Sequence, residues 1–299
     1  MRAAIGACLV LCVAAPAAAQ DQAFGESHFV GDTPVDVAVR WSGRAGQPRG
    51  RVDVRVGERV RTLHDGAPAY AWAEGGARGV LVAMIGASST VEARFVPVAD
   101  GRPGAVRAHA LRRTAGADRS PIGAAVAATP DGFSLFWQEA STSNAQALYE
   151  TYLARFDHGG RPVGETTRVN ADWPIADVAW MPSRGQYYFL LYYGGGDPRG
   201  TRLCGVHVDP DRLVNVEHPW WASAPGMIDE ARLVVRGDRI VALYRDEEHL
   251  YEIDVTEGSW GRGPTASRRD HGAIRSDTAF GARATADGIA LRRVPLSGS

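Results

Sequence analysis

The residues of this 299-residue chain whose type and spacing bear on chemistry are acidic and aromatic, and they gather in five short segments. These are TLHDGAPAY, TAGADRSPIG, NADWPIAD, HPWWASAPGMIDE and RRDHGAIRSD, each lying just ahead of a run of small or apolar residues. They carry Asp65, Asp118, Asp172, Asp177, Asp229, Glu230, Asp270 and Asp277, with Trp173, Trp220 and Trp221. Asp177 and Asp229 stand eight residues before Gly185 and Gly237, so equivalent positions in successive structural units are expected for them. Two converging carboxylates are the equipment of a glycosidase, one as general acid and one as base or nucleophile. An indole beside them offers an apolar face to a sugar ring. Aspartate in loops also caps turns by accepting backbone N–H bonds, a use that needs no ligand. The candidate ligand-binding set is therefore Trp173, Asp177, Trp221, Asp229 and Glu230, with no catalytic residue assigned.

Other chemistries lack their signatures. There is no HExxH, no GxSxG, no phosphate-binding glycine loop and no DxDxDG calcium loop. The eight histidines are scattered, so no metal site and no cofactor is expected. Cys204 sits in the strand-like stretch LCGVHV, which fits a buried, inert thiol better than a nucleophile. Every basic residue is arginine, and the formal net charge of −1 is dispersed, which argues against nucleic acid as a partner.

Residues 1–20 read MRAAIGACLVLCVAAPAAAQ: one arginine, an apolar run and a small-residue stretch. That order is the pattern of a secretory leader, so an exported, unlipidated, monomeric protein starting near Gln20 or Asp21 is expected. With the leader go Cys8 and Cys12, leaving Cys204 alone and no internal disulfide possible. No later stretch approaches the ~20 apolar residues of a membrane-spanning helix.

What must position the acidic segments is a repeat. Turn glycines at Gly79, Gly132, Gly185, Gly237 and Gly288 recur every 51 to 53 residues, each between two short apolar runs. Between them lie further strand pairs, starting near Val37, Val91, Glu150, Thr201 and Leu250. A period of this size built from strand–turn–strand units marks a ring of small sheets. Such a ring leaves no free edges if its ends pair. One strand pair stands alone at each end, so the segment 35–56 is expected beside 277–295, completing a five-bladed β-propeller with four antiparallel strands per blade. The whole of 21–299 is then one domain.

The copy DGFSLFWQE, followed by LYETYLARFDHGGRPVGETTRVN, resembles the repeat of secreted bacterial β-propellers. It has an Asp-Gly-aromatic turn, a strand closing on Trp-x-acidic, and an RxDxxGxxVG turn. The likeness implies fold and export and carries no activity. The functional expectation is an exported binding module that meets a protein or glycan through its loops. Its rivals are a glycan hydrolase using the loop carboxylates and a structural envelope module.

Overall fold

The computed structural model describes residues 22–44, 47–86, 90–113, 119–141, 149–169, 174–193, 202–213, 220–223, 228–246, 249–256, 268–275, 277–286 and 288–296. Residues 1–20, read from sequence as a secretory leader, lie outside them. No helix occurs among the described residues, and none is therefore long and apolar enough to cross a membrane.

The chain is a five-bladed β-propeller of four-stranded antiparallel blades. Sheet one holds β1 (Gln22–Val30), β2 (Thr33–Arg44), β3 (Gln47–Val56) and β4 (Arg59–Gly66). Sheet two holds β5 (Ala69–Gly75), β6 (Gly79–Gly86), β7 (Thr90–Ala99), the short β8 (Arg102–Pro103) and β9 (Arg107–Arg113). Sheet three is β10 (Arg119–Thr129), β11 (Gly132–Ser141), β12 (Tyr149–Asp157) and β13 (Pro162–Val169). Sheet four is β14 (Ile175–Met181), β15 (Gln186–Tyr193), β16 (Arg202–Val208) and β17 (Trp220–Ser223). Sheet five is β18 (Ile228–Arg236), β19 (Arg239–Asp246), β20 (His249–Asp254) and β21 (Arg269–Ala273). The last hairpin, β22 (Thr278–Thr285) and β23 (Gly288–Pro295), joins sheet one through β1.

Contacts divide the chain into two compact units. One contains sheets one to three with the segments Asp277–Arg283 and 290–296; the other contains Val169–Ser276, hence sheets four and five, with Ala284–Ile289.

In the first unit the second strand of each sheet is the core element. All of Gly79 to Ile85 on β6 is buried, because a strand covered on both faces takes a continuous apolar run instead of an alternating one. The fourth strand shows the opposite sequence: β13, PVGETTRV, is exposed along seven of its eight residues. One apolar cluster joins Val35, Val37, Val39, Val52, Val54 and Val56 of sheet one to Val80, Val82 and Met84 of sheet two. A second joins Leu81, Ala83 and Phe95 to Val126, Phe133, Leu135 and Trp137 of sheet three. Each buried valine or leucine side chain contributes on the order of 1.5–3 kcal/mol before chain entropy is counted.

The pairing of the chain's ends holds, with one change. N- and C-terminal strands do share a sheet, but β1 lies between the segments expected to meet, so that sheet has six strands. Gly31 (φ +58°) turns β1 into β2 as Gly185 (φ +60°) turns β14 into β15, which makes β1–β2 a further copy of the repeat. The stretch from Val37 read as a self-contained strand pair is the β2–β3 junction. β1 was missed because three consecutive buried polar residues, Glu26, Ser27 and His28, interrupt any apolar pattern. β1 meets β22 in parallel, through the single pair Glu26 and Phe280. Around that pair, Arg292 donates to Ser27 Oγ at 2.7 Å and to the Asp36 carboxylate, and Arg283 bonds Asp32.

In the second unit, Met181, Tyr188, Leu190 and Leu203 of sheet four pack with Ile228, Ala231, Ile240 and Tyr244 of sheet five. The Tyr188 hydroxyl donates to the Val255 carbonyl at 2.8 Å, giving a buried phenol its partner. Two segments read as loops are outer strands: Trp220 and Trp221 belong to β17, and Asp270 and His271 to β21. Outer strands such as β21, mostly exposed, lack the apolar alternation by which a strand is recognised.

Candidate functional site

Of the five residues singled out from sequence, Asp177 and Glu230 are the two whose side chains are described. Trp173 lies outside the described residues. Asp177 is on β14, the first strand of sheet four, whereas Trp221 is on β17, the fourth. Three strand spacings separate those strands, about 14 Å. Asp229 and Glu230 are on β18, where a register shift between Ile228 and Glu230 breaks the ladder to β19.

Asp177 is buried, and its carboxylate is committed to backbone. Oδ1 accepts the N–H of Val178 at 2.8 Å, and Oδ2 accepts the N–H of Leu233 on β18 at 2.7 Å. It ties sheet four to sheet five. Glu230 lies between two arginines, with Arg232 at 3.2 Å and Arg245 at 3.4 Å. Asp177 and Glu230, two of the carboxylates expected to meet a ligand, are thus engaged by the fold.

Glu26 repeats the Asp177 arrangement in the first unit. Each stands four residues before the end of its strand. Glu26 Oε2 accepts the N–H of Ala73 on β5 at 2.6 Å. It also lies 3.0 Å from Nε2 of His28, whose Nδ1 is 3.7 Å from Glu74. Glu26 and His28 are buried and Glu74 is half-buried.

Above this carboxylate–imidazole group sits a cluster of rings. Strand alternation puts Phe24, Glu26 and His28 on one face of β1, and Tyr70, Trp72 and Glu74 on one face of β5. Alanines 69, 71 and 73 fill the opposite face of β5 and let it approach sheet one. The Tyr70 ring lies 5.9 Å from Phe24, 4.7 Å from Trp41 of β2 and 6.1 Å from Trp72, the last pair stacked. Trp41 packs edge-on to Phe24 at 5.3 Å and donates its indole N–H to the Ala69 carbonyl at 3.0 Å. All four rings are half-buried, so each keeps part of its surface in solvent. Aromatic faces beside hydrogen-bonding carboxylates suit a sugar, whose ring has apolar faces and a rim of hydroxyls. The alternating AYAWAEG was the one sequence signal of this site; Phe24 and Trp41 join it only through the fold.

No group of three or more His, Cys, Asp or Glu side chains among the described residues is arranged to hold a metal ion.

The sequence matches no protein-family model and no curated protein. Among solved structures, the chain is similar to the lectin of Aleuria aurantia, a six-bladed β-propeller with a novel fucose recognition mode. The TM-score is 0.50 at 11% identity, over 95% of this chain and 99% of the lectin. It is similar also to the Malassezia sympodialis allergen Mala s 1, with TM-score 0.47 and 13% identity over 86% and 84% of the two chains. The third is a xylan β-1,4-xylosidase of Bacillus halodurans C-125, with TM-score 0.45 and 10% identity, covering 81% of this chain. The chain spans only 41% of the xylosidase. At such identities the likeness is one of fold.

Proposed function

We propose that the chain is an exported, non-catalytic β-propeller that binds a glycan through Phe24, Trp41, Tyr70 and Trp72. The observation that carries this reading is the clustering of four half-exposed rings from three strands directly beside Glu26, His28 and Glu74. Each ring offers a sugar an apolar face, and covering that face contributes about 25 cal/mol per Å² of apolar area removed from water. Several together give the weak, additive affinity by which a carbohydrate is held. The fucose recognition of the Aleuria aurantia lectin is a sugar-binding use of the same fold.

A hydrolytic reading is disfavoured by the carboxylates themselves. Both oxygens of Asp177 accept backbone N–H groups, and Glu26 Oε2 is shared by Ala73 and His28. A general acid or base needs a carboxyl group whose proton can reach the substrate.

The test is a glycan array probed with wild type and with Tyr70→Ala, alongside thermal melting of both. Binding of a defined glycan class by wild type, reduced ~tenfold in a variant that still melts cooperatively, is the expected result. Equal binding by the variant, or release of reducing sugar from any bound glycan, would sink the reading.

A further inference from the structure

The order of side chains along β5 bears on which glycan the ring cluster takes. Alternation puts Tyr70, Trp72 and Glu74 on one face, so two rings and a carboxylate follow one another along a single strand. The planes of Tyr70 and Trp72 are inclined by only 29°. Glu74 comes next, its side chain 33% exposed. Its Oε1 accepts the N–H of Gly75 at 3.0 Å, and its Oε2 lies 3.7 Å from Nδ1 of His28. Those two contacts hold the carboxylate beside the rings.

The charge built in here is negative. Glu26 lies 3.0 Å and Glu74 3.7 Å from His28, so two carboxylates face one imidazole. The group stays negative in either protonation state of that ring. Two arginines that contact β1 do so on its other face. Arg283 stands 4.8 Å from the ring centroid of Phe29, and Arg292 donates to Ser27 at 2.7 Å. Ser27 and Phe29 alternate with Glu26 and His28, so both guanidinium groups lie across the strand from the carboxylates. The rings add to the same field, because the face of an aromatic ring is the negative part of its quadrupole.

We propose that the glycan bound at this cluster is an amino sugar, a hexosamine whose nitrogen is free and protonated; this rests on the glycan reading of the site. The ammonium group meets ring faces and donates to the Glu74 carboxylate, and the sugar ring covers the aromatic surface that remains. An ionised carboxylate has acceptors only, so a donor that carries charge makes its strongest bond. A cation within about 6 Å of a ring centroid is attracted to the ring face. Neighbouring centroids in this cluster are 4.7 to 6.1 Å apart, so several rings share that range. An N-acetylated sugar has no charge to offer Glu74, and a uronic acid meets carboxylates and ring faces that repel it. A simple amine would use Glu74 and leave most of the ring surface from three strands uncovered.

The probes are the hexamers of β-1,4-linked glucosamine and of N-acetylglucosamine, alike in backbone and different in charge. Both are titrated calorimetrically at about pH 6, below the range of an α-amino group. Hexalysine controls for charge without sugar. The expected result is binding of the glucosamine hexamer at least ~tenfold tighter than of either other probe. Glu74→Gln keeps an oxygen for the Gly75 N–H, so it should melt as wild type does. It should lower affinity for the glucosamine hexamer ~tenfold and leave that for the acetylated one unchanged. Equal or tighter binding of the acetylated hexamer, equal binding of hexalysine, or an undiminished preference in Glu74→Gln would each overturn the proposal. A wild type that ignores both hexamers but binds an uncharged glycan through Tyr70 overturns the amine and keeps the glycan reading. One that binds no glycan overturns both. If Glu74→Gln fails to fold, the three wild-type titrations decide alone.

Discussion

The carboxylate of Glu26 accepts the backbone N–H of Ala73 at 2.6 Å, and so joins the first strand of sheet one to the first strand of sheet two. Asp177 makes the same bond to Leu233 between sheets four and five. Strands of different sheets do not share a ladder, so a backbone donor facing the neighbouring sheet must find a side chain or go unsatisfied. A short carboxylate is well suited, because a charge-assisted bond is stronger than a neutral one.

Asp177→Ala should therefore act on stability. It leaves the half-buried Leu233 N–H without its acceptor, at a cost of about 1 kcal/mol. Chemical denaturation should show a lower midpoint with ligand affinity intact. Lost binding with unchanged stability would return Asp177 to a ligand.

Gly281 tests the joint between the chain's ends. A Cβ built there would overlap the carbonyl oxygen of Ser27, a backbone atom that cannot swing aside. Gly281→Ala should part β22 from β1 and destabilise by about 2–4 kcal/mol, the range of severe packing errors. Arg292→Ala, which removes the tie to Ser27 and Asp36, should move the melting temperature in the same direction. A neutral Gly281→Ala would show that the strands do not meet this closely.

Acid should weaken the fold through a small set of aspartates. Asp157 is held below the usual carboxylate range by the N–H groups of Arg161 and Gly159, and Asp270 by that of Gly272. For Asp254 burial works the other way, yet bonds from Thr256 and Arg239 prevail and its pKa also falls. A carboxylate with a depressed folded pKa stabilises above its unfolded value near 4 and loses that contribution as pH falls through the folded one. Stability against denaturant should be flat from about pH 5 to 7 and decline below about pH 4. Asp254→Asn should blunt the decline; a variant as acid-sensitive as wild type would remove Asp254 from the account.

Cys204 should be chemically silent in the native state. Burial pushes its thiol up to about 12, so almost no thiolate exists at neutral pH. Native protein should resist iodoacetamide for hours and react at once in denaturant. Native labelling at the rate of a free thiol would place Cys204 in solvent.

Export has its own measurement. Intact mass of protein recovered from outside the cytoplasm should correspond to a chain beginning near Gln20 or Asp21. A mass that retains residues before Ala17, or carries a lipid on Cys8, would contradict the leader reading.

The repeating strands were legible because their causes are local. The turns at Gly132, Gly185, Gly237 and Gly288 require a positive φ, and the doubly covered strands between them are continuous apolar runs. β1 was not legible, since its buried Glu26, Ser27 and His28 find partners in Ala73, Arg292 and Glu74, all distant in sequence. The site behaved likewise. Asp177 has the composition of a ligand-binding aspartate, and only its distance to Leu233 reveals a structural bond. Tyr70 and Trp72 were visible as large residues among alanines, whereas their meeting with Phe24 and Trp41 depends on which sheets are neighbours.

The bridge between Glu26 and Phe280 also orders events during synthesis. Strand β1 leaves the ribosome well before its second edge is closed, by a strand translated roughly 250 residues later, half a minute or so at ordinary elongation rates. Through that interval sheets one and two can assemble on local pairings, but one edge of β1 stays open to any passing strand. Until β22 arrives, that open edge is a point at which the unfinished chain can pair wrongly.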